Sequence, residues 1–184
     1  LTAGKQTTFG LNPPFHRAIM VASVGRRSKR AAPQMNGGFF MLKGISPIIS
    51  PELLKIIAEM GHGDELVLAD ANFPGTSIGQ KCVRCDGHGC AEVMRALLTL
   101  FPLDDFVEAP LAVMQVPAGM FPGDKAPIWE AFRAAADTDL PTAKFDMMAH
   151  DAFMERAKKA FAVVQTGETA LYGNIIIRKG VVRA

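Results

Sequence analysis

The chain predicts an α/β fold: a single layered domain with a central sheet flanked by helices. Two observations predict it. From residue 41 onward, short strand-like apolar runs alternate with helical patterns. Near the start of that region, Ser50-Pro51-Glu52 is a strong helix opening, with a Ser N-cap, a Pro at the first helical position and an acid in the first turn.

In order, Leu53, Leu54, Ile57, Ala58 and Met60 give that first helix an apolar face, and Gly61 is its expected stop. Glu65–Asp70 reads as a short buried strand, and the turn residues of 72–79 as a loop. A second strand is expected over Lys81–Asp86. A helix follows over Ala91–Phe101, with Val93, Met94, Leu97, Leu98 and Phe101 on one side and Pro102 as its end. Leu111–Val116 is a strand, Pro117–Asp124 a loop, Pro127–Ala136 a helix and Lys144–Met148 a short strand. Asp151 is positioned to cap a helix running to Ala160. Strong strands at Phe161–Thr166 and Asn174–Arg178 close the pattern, joined by a stretch short enough for a hairpin turn.

The 184 residues suit one domain plus a tail, and 49% apolar content is enough for one sizeable core. No apolar run reaches the roughly 18 residues of a membrane span. Charge is unevenly placed. Residues 1–40 carry six Lys or Arg and no acid, leaving 14 basic and 18 acidic side chains, net −4, for 41–184. We therefore divide the chain into a basic N-terminal extension, 1–40, and a folded domain, 41–184. The extension reads as a disordered segment or sequence upstream of a natural start. An organelle-targeting leader and a nucleic-acid-binding arm are the competing readings. The acidic body disfavours nucleic acid as a partner. Three cysteines packed within nine residues do not resemble a secreted disulfide framework, so a reducing, cytoplasmic setting is expected.

Four constellations carry candidate chemistry. His62 lies between Gly61 and Gly63, followed by Asp64 and, one strand later, Asp70. An unperturbed imidazole titrates near neutrality and can give and take protons, and a carboxylate can orient it. The bland alternative is a helix-capping His. Cys82, Cys85, His88 and Cys90 are metal-type ligands. Their spacing is too compact for common zinc modules, and Cys82 and Cys85 on one strand point to opposite faces, so we expect small buried side chains and no metal. Tyr172, the single tyrosine, sits beside Gly173 and Asn174 in a tight connection where hydroxyl and amide groups can face a ligand. His150 stands at a helix entrance. No Gly-rich nucleotide fingerprint, serine elbow or metalloprotease motif is present in the sequence.

Several of these stretches resemble one family. Met41–Leu54, Met60-Gly-His-Gly-Asp-Glu65, Asp70-Ala-Asn-Phe-Pro74, Arg84-x-Asp86-Gly87, Phe153-x-Glu-Arg156 and Thr166-Gly-Glu-x-Ala-x-Tyr-Gly-Asn174 are similar, in collinear order over about 41–182, to the L-fucose mutarotases. That family sits in a wider group with D-ribose pyranase. The resemblance implies a mixed central sheet of the RbsD-like type. It also implies ring-form interconversion of a free monosaccharide without cofactor or metal, and ring-shaped homo-oligomers with sites at subunit contacts. It puts the catalytic histidine on His62 and a sugar-binding aspartate on Asp70, which would also orient His62. The segment that holds sugar hydroxyls falls on Tyr172, Gly173 and Asn174.

Two departures bear on the substrate. His150 stands where the fucose enzymes carry Arg and the ribose enzymes His, and Met154 replaces a usual tyrosine. L-fucose is the expected substrate, with D-ribose pyranase activity or non-catalytic sugar binding as alternatives.

Overall fold

A computed structural model describes residues 42–183. The expectations for residues 1–40 lie outside the described residues. The elements are α1 (Pro51–Glu59), β1 (Glu65–Ala69), α2 (Gly75–Ile78), β2 (Cys82–Cys85), α3 (Cys90–Leu97), β3 (Leu111–Met114), α4 (Ile128–Ala136), β4 (Phe145–Met148), α5 (His150–Lys159), β5 (Ala162–Thr166) and β6 (Ile175–Arg178), with a 3-10 turn at Pro122–Asp124.

Local signals set most of these. Ser50 caps α1, its Oγ accepting the Leu53 amide at 3.1 Å, with Pro51 at the first position. The buried face of α1 is Leu53, Ile56 and Ile57, while Ala58, expected on that face, is exposed. The helix ends through an extended Met60 at its C-cap rather than at Gly61. Of the two glycines flanking His62, the one with a left-handed backbone is Gly63 (φ +87°).

The expected loop 72–79 contains a single helical turn, α2, because Ser77 and Ile78 donate back to the Pro74 carbonyl. The third helix stops at Leu97, short of the expected Phe101, and the chain leaves through turns in which Leu100 and Phe101 donate to the Leu97 carbonyl. His150 is the first residue of α5 rather than the one before it. Asp151 does not cap that helix: it lies in the first turn and accepts from His150 Nδ1 at 2.8 Å.

The six strands form one mixed sheet in the order β2-β5-β1-β6-β3-β4. Every pairing is parallel except those of β6, which runs antiparallel to both β1 and β3. Both faces are covered, which is why β1, β3 and β5 read as near-continuous apolar runs. Alternate residues divide cleanly. Leu66, Leu68, Leu111, Val113, Val164, Ile175 and Ile177 pack with α1, α3 and α4, whereas Val67, Ala69, Ala112, Val163 and Ile176 pack with α5 through Phe153 and Ala157.

The strand order corrects one expectation. β5 and β6 are not a hairpin, because β1 lies between them. The connection 167–174 therefore crosses the carboxyl end of β1, and the chain must come down antiparallel on the other side.

Candidate active site

The carboxyl edge of the sheet, where β1, β5, β3 and β4 all end, holds most of the residues singled out in the sequence. Asp70 follows β1 directly and is 8% exposed. Asn174, at the end of the crossing connection, grips it twice. Its Oδ1 accepts the Asp70 amide at 2.8 Å, and its Nδ2 donates to Asp70 Oδ2 at 2.7 Å. The other carboxylate oxygen accepts the Asn72 amide at 2.9 Å.

The backbone beneath is tied as tightly. Gln165 Nε2 donates to the Asp70 carbonyl, Thr166 Oγ1 donates to the Ala69 carbonyl at 2.8 Å, and the Ala71 amide donates to the Glu168 carbonyl at 2.8 Å. A buried polar set with its partners in place is rigid. It fixes Asp70 to a fraction of the freedom an exposed carboxylate has.

Gly173 is buried against Asp70: a Cβ there would lie 3.5 Å from Asp70 Cβ and only 2.8 Å from the Ala170 carbonyl. Beside it, Tyr172 has φ +58°, a left-handed backbone that costs a non-glycine residue about 1–2 kcal/mol. Trp129 Nε1 donates to the Tyr172 carbonyl at 3.3 Å, and Phe121 meets the Tyr172 ring edge-on with centroids 6.2 Å apart, so α4 and the 117–124 loop hold the strained residue in place. A strained residue kept in position by its surroundings is a marker of a functional loop.

His150 stands on the same edge, at the end of β4. Three strand spacings, about 14 Å, separate β4 from β1. Its side chain is largely exposed and turned to Asp151.

His62 is elsewhere. It precedes β1, whereas Asp70 follows it. Five residues of strand at about 3.3 Å each put the two on the order of 16 Å or more apart. Within one chain Asp70 therefore does not orient His62, and Tyr172 and Asn174 do not meet it. The partner of His62 is Asp104, which the sequence reading did not single out: His62 Nε2 lies 3.0 Å from Asp104 Oδ1. Asp104 is fully buried, and also accepts from the Phe106 amide at 3.1 Å and Arg178 Nε at 2.9 Å. Asp64, the carboxylate nearest in sequence, turns instead to the Gly61 amide at 2.7 Å. Asp104 lies 42 residues from His62 with no shared pattern, so no periodicity or spacing could have linked them.

The Cys/His cluster does not converge. Cys82 packs with the α5 side of the sheet and Cys85 with the α1/α3 side. His88 Nδ1 pairs with Glu92 at 3.0 Å, and Cys90 is buried against Thr166 Oγ1 at 3.1 Å. Burial pushes the Cys90 thiol up to about 12, against the opposing hydrogen bond with Thr166. Among the described residues, no three His, Cys, Asp or Glu side chains group to hold a metal ion, and no helix is long and apolar enough to cross a membrane.

With this geometry in hand, residues 43–182 match the model of the RbsD / FucU transport protein family. The chain belongs to that family.

Its relatives agree. An L-fucose mutarotase from Actinobacillus pleuropneumoniae is 54% identical over 144 residues, covering 77% of this chain and 97% of that one. A fucose mutarotase from Danio rerio is 50% identical over 151 residues, covering 77% and 95%. The crystal structure of the fucose mutarotase of Streptococcus pneumoniae in complex with L-fucose superposes with a TM-score of 0.70 at 46% identity, covering 77% of this chain and all of that one. The mixed six-stranded α/β sheet flanked by helices is thus the fold of this family.

Proposed function

We propose that this chain is an L-fucose mutarotase, an isomerase that interconverts the α and β anomers of the free sugar. The observation that carries this is the 54% identity to an L-fucose mutarotase across almost that protein's whole length. The Asp70–Asn174 pair with its strained Tyr172 supports it, since fixed polar groups at the carboxyl edge of the sheet suit a small polyol. The domain assignment follows the same reading: 41–184 is the mutarotase domain and 1–40 an extension to it.

The chemistry needs little. The anomeric hydroxyl gives up its proton, the C1–O5 bond breaks as C1=O forms, and O5 takes a proton. Rotation about C1–C2 and the reverse steps close the ring on the other face of the carbonyl. O1 and O5 share one carbon, so a single imidazole can take the first proton and return it to the second oxygen. We assign that role to His62. Asp70, Tyr172, Gly173 and Asn174 hold sugar hydroxyls, and His150 completes the pocket wall. No covalent intermediate, metal or cofactor enters this scheme.

His62 and Asp70 occupy opposite edges of the sheet, so the working site joins two copies, His62 of one facing the cradle of the next. Exposed apolar side chains support head-to-tail contact: Phe106, 67% exposed, lies against the His62 ring, and Leu171, 60% exposed, adjoins Tyr172 in the chain. A heterologous contact of this kind closes into a ring when its rotation permits. Cys82 and Cys85 on opposite faces of β2 cannot pair with one another, which fits a reducing compartment, the cytoplasm.

NMR saturation transfer between L-fucose anomers tests the reading. The wild-type chain should accelerate exchange and His62→Ala should not. Equal rates for the two would sink the mechanism. One feature of the resemblance favours a second substrate: His150 stands where fucose mutarotases commonly carry Arg. Running D-ribose beside L-fucose decides between them, because a polar contact to one hydroxyl gives large discrimination.

A further inference from the structure

We propose that Asp104 is a positioning residue for His62: it accepts a hydrogen bond from Nε2–H, holds the neutral imidazole in that tautomer, and leaves Nδ1 as the nitrogen that exchanges protons with the sugar. The inference rests on the reading of His62 as the acid/base and adds to it which atom acts and what aims it.

The geometry is specific. Both members are stapled to the same strand end. The Gly63 amide donates to the Lys179 carbonyl at 2.9 Å, and the Asp104 amide to the Arg178 carbonyl at 3.0 Å. Leu103 bridges Lys179, and Gly180 packs so closely that a Cβ would lie 2.4 Å from the Leu103 carbonyl oxygen. The end of β6 is thus a common pedestal for the His62 loop and the Asp104 turn. Phe106 closes one side of the imidazole, its ring tilted by 53° with centroids 5.3 Å apart. The His62 side chain remains 46% exposed, open on the side away from Asp104.

The proton assignment follows from the acceptor. Burial alone would raise the carboxyl pKa of Asp104. Hydrogen bonds from the Phe106 amide, His62 and Arg178 outweigh it and hold the group below the ordinary carboxylate range. An ionised carboxylate only accepts, so the hydrogen between it and Nε2 belongs to the imidazole. Neutral imidazole then carries its lone pair on Nδ1, which has no protein partner among the described residues. When Nδ1 takes the anomeric proton, the imidazolium forms 3.0 Å from a fixed negative charge that stabilises it.

The test uses the full chain labelled with 15N-histidine, with the His62 ring signals assigned by their loss in His62→Ala. Two-bond 15N–1H correlations, read with His62 neutral, should show a protonated Nε2 and a bare Nδ1. In Asp104→Asn, whose amide can donate to Nε2, the proton should move to Nδ1. Turnover of L-fucose anomers should then fall roughly 10- to 1000-fold with KM changed by less than about threefold. A wild-type His62 protonated at Nδ1 would overturn the proposal, and so would an Asp104→Asn variant with wild-type turnover. The wild-type spectrum decides the tautomer even if the variant does not fold. A wild-type chain that accelerates no sugar's exchange would refute the function while leaving the tautomer result standing.

Discussion

Asn174 and Asp70, 104 residues apart in sequence, are joined by two hydrogen bonds of 2.8 and 2.7 Å, one to the backbone amide and one to the carboxylate. One side chain thereby fixes both the position of the β1 terminus and the direction of the carboxylate. It can do so because the 167–174 connection crosses the end of β1 rather than turning back beside β5.

Replacing Asn174 with Ala should remove both bonds and leave a buried amide and a buried carboxylate oxygen underpaired. A loss of about 1–3 kcal/mol in stability is expected, measured by urea denaturation. L-fucose exchange should fall as well, because Asp70 is no longer aimed. A variant with wild-type stability would show that the cradle is not structurally coupled.

A site shared between copies predicts complementation. His62→Ala and Asp70→Ala chains should each be inactive alone. Refolded together in equal amounts, they should recover about a quarter of wild-type L-fucose exchange, since one contact in four then pairs an intact His62 with an intact Asp70. No recovery from mixed, folded assemblies would place both residues' contributions within one chain.

Asp104 should also govern stability in acid. Its folded pKa lies below the unfolded value of about 3.9, so the stabilisation is present above that value and is lost as pH falls through the folded pKa. The difference in Tm between wild type and Asp104→Asn should accordingly be full above about pH 5 and close as the pH falls below about 4. A gap that persists unchanged to pH 2 would mean that the hydrogen-bond geometry, and not the charge, is what Asp104 contributes.

The crossing connection begins at Gly167, where a Cβ would sit 2.0 Å from the Asp86 carbonyl oxygen, whereas at Gly87 nothing lies within 4 Å. Gly167→Ala should therefore destabilise by about 1–3 kcal/mol through forced backbone movement. Gly87→Ala should stay within about 0.5 kcal/mol of wild type. Thermal melts of the pair check whether the seam between β2 and the connection is as tight as the geometry requires.

Much of the architecture is legible in local residue patterns. Ser50 and Pro51 open α1 where expected, and the apolar runs at Glu65–Ala69, Ala162–Thr166 and Ile175–Arg178 are strands. Periodicity and capping act over a few residues, so a few residues reveal them. The same locality explains the misses. Asp151 looked like a cap because of its position, yet its side chain pairs with His150. The short link between β5 and β6 looked like a hairpin because its length permits one, and only the insertion of β1 between them excludes it.

The sequence by itself determined most of the element types, the α/β class and the family resemblance, and with that resemblance the expectation of an Asp70, Tyr172, Gly173 and Asn174 set. These depend on residue type, spacing and motif identity, which survive in one dimension. Tertiary structure decided which residues meet. It brought Asn174 onto Asp70 and gave His62 the buried Asp104 as its partner. Strand neighbours are chosen by packing and backbone hydrogen bonding summed over the whole sheet, and no local stretch carries that sum.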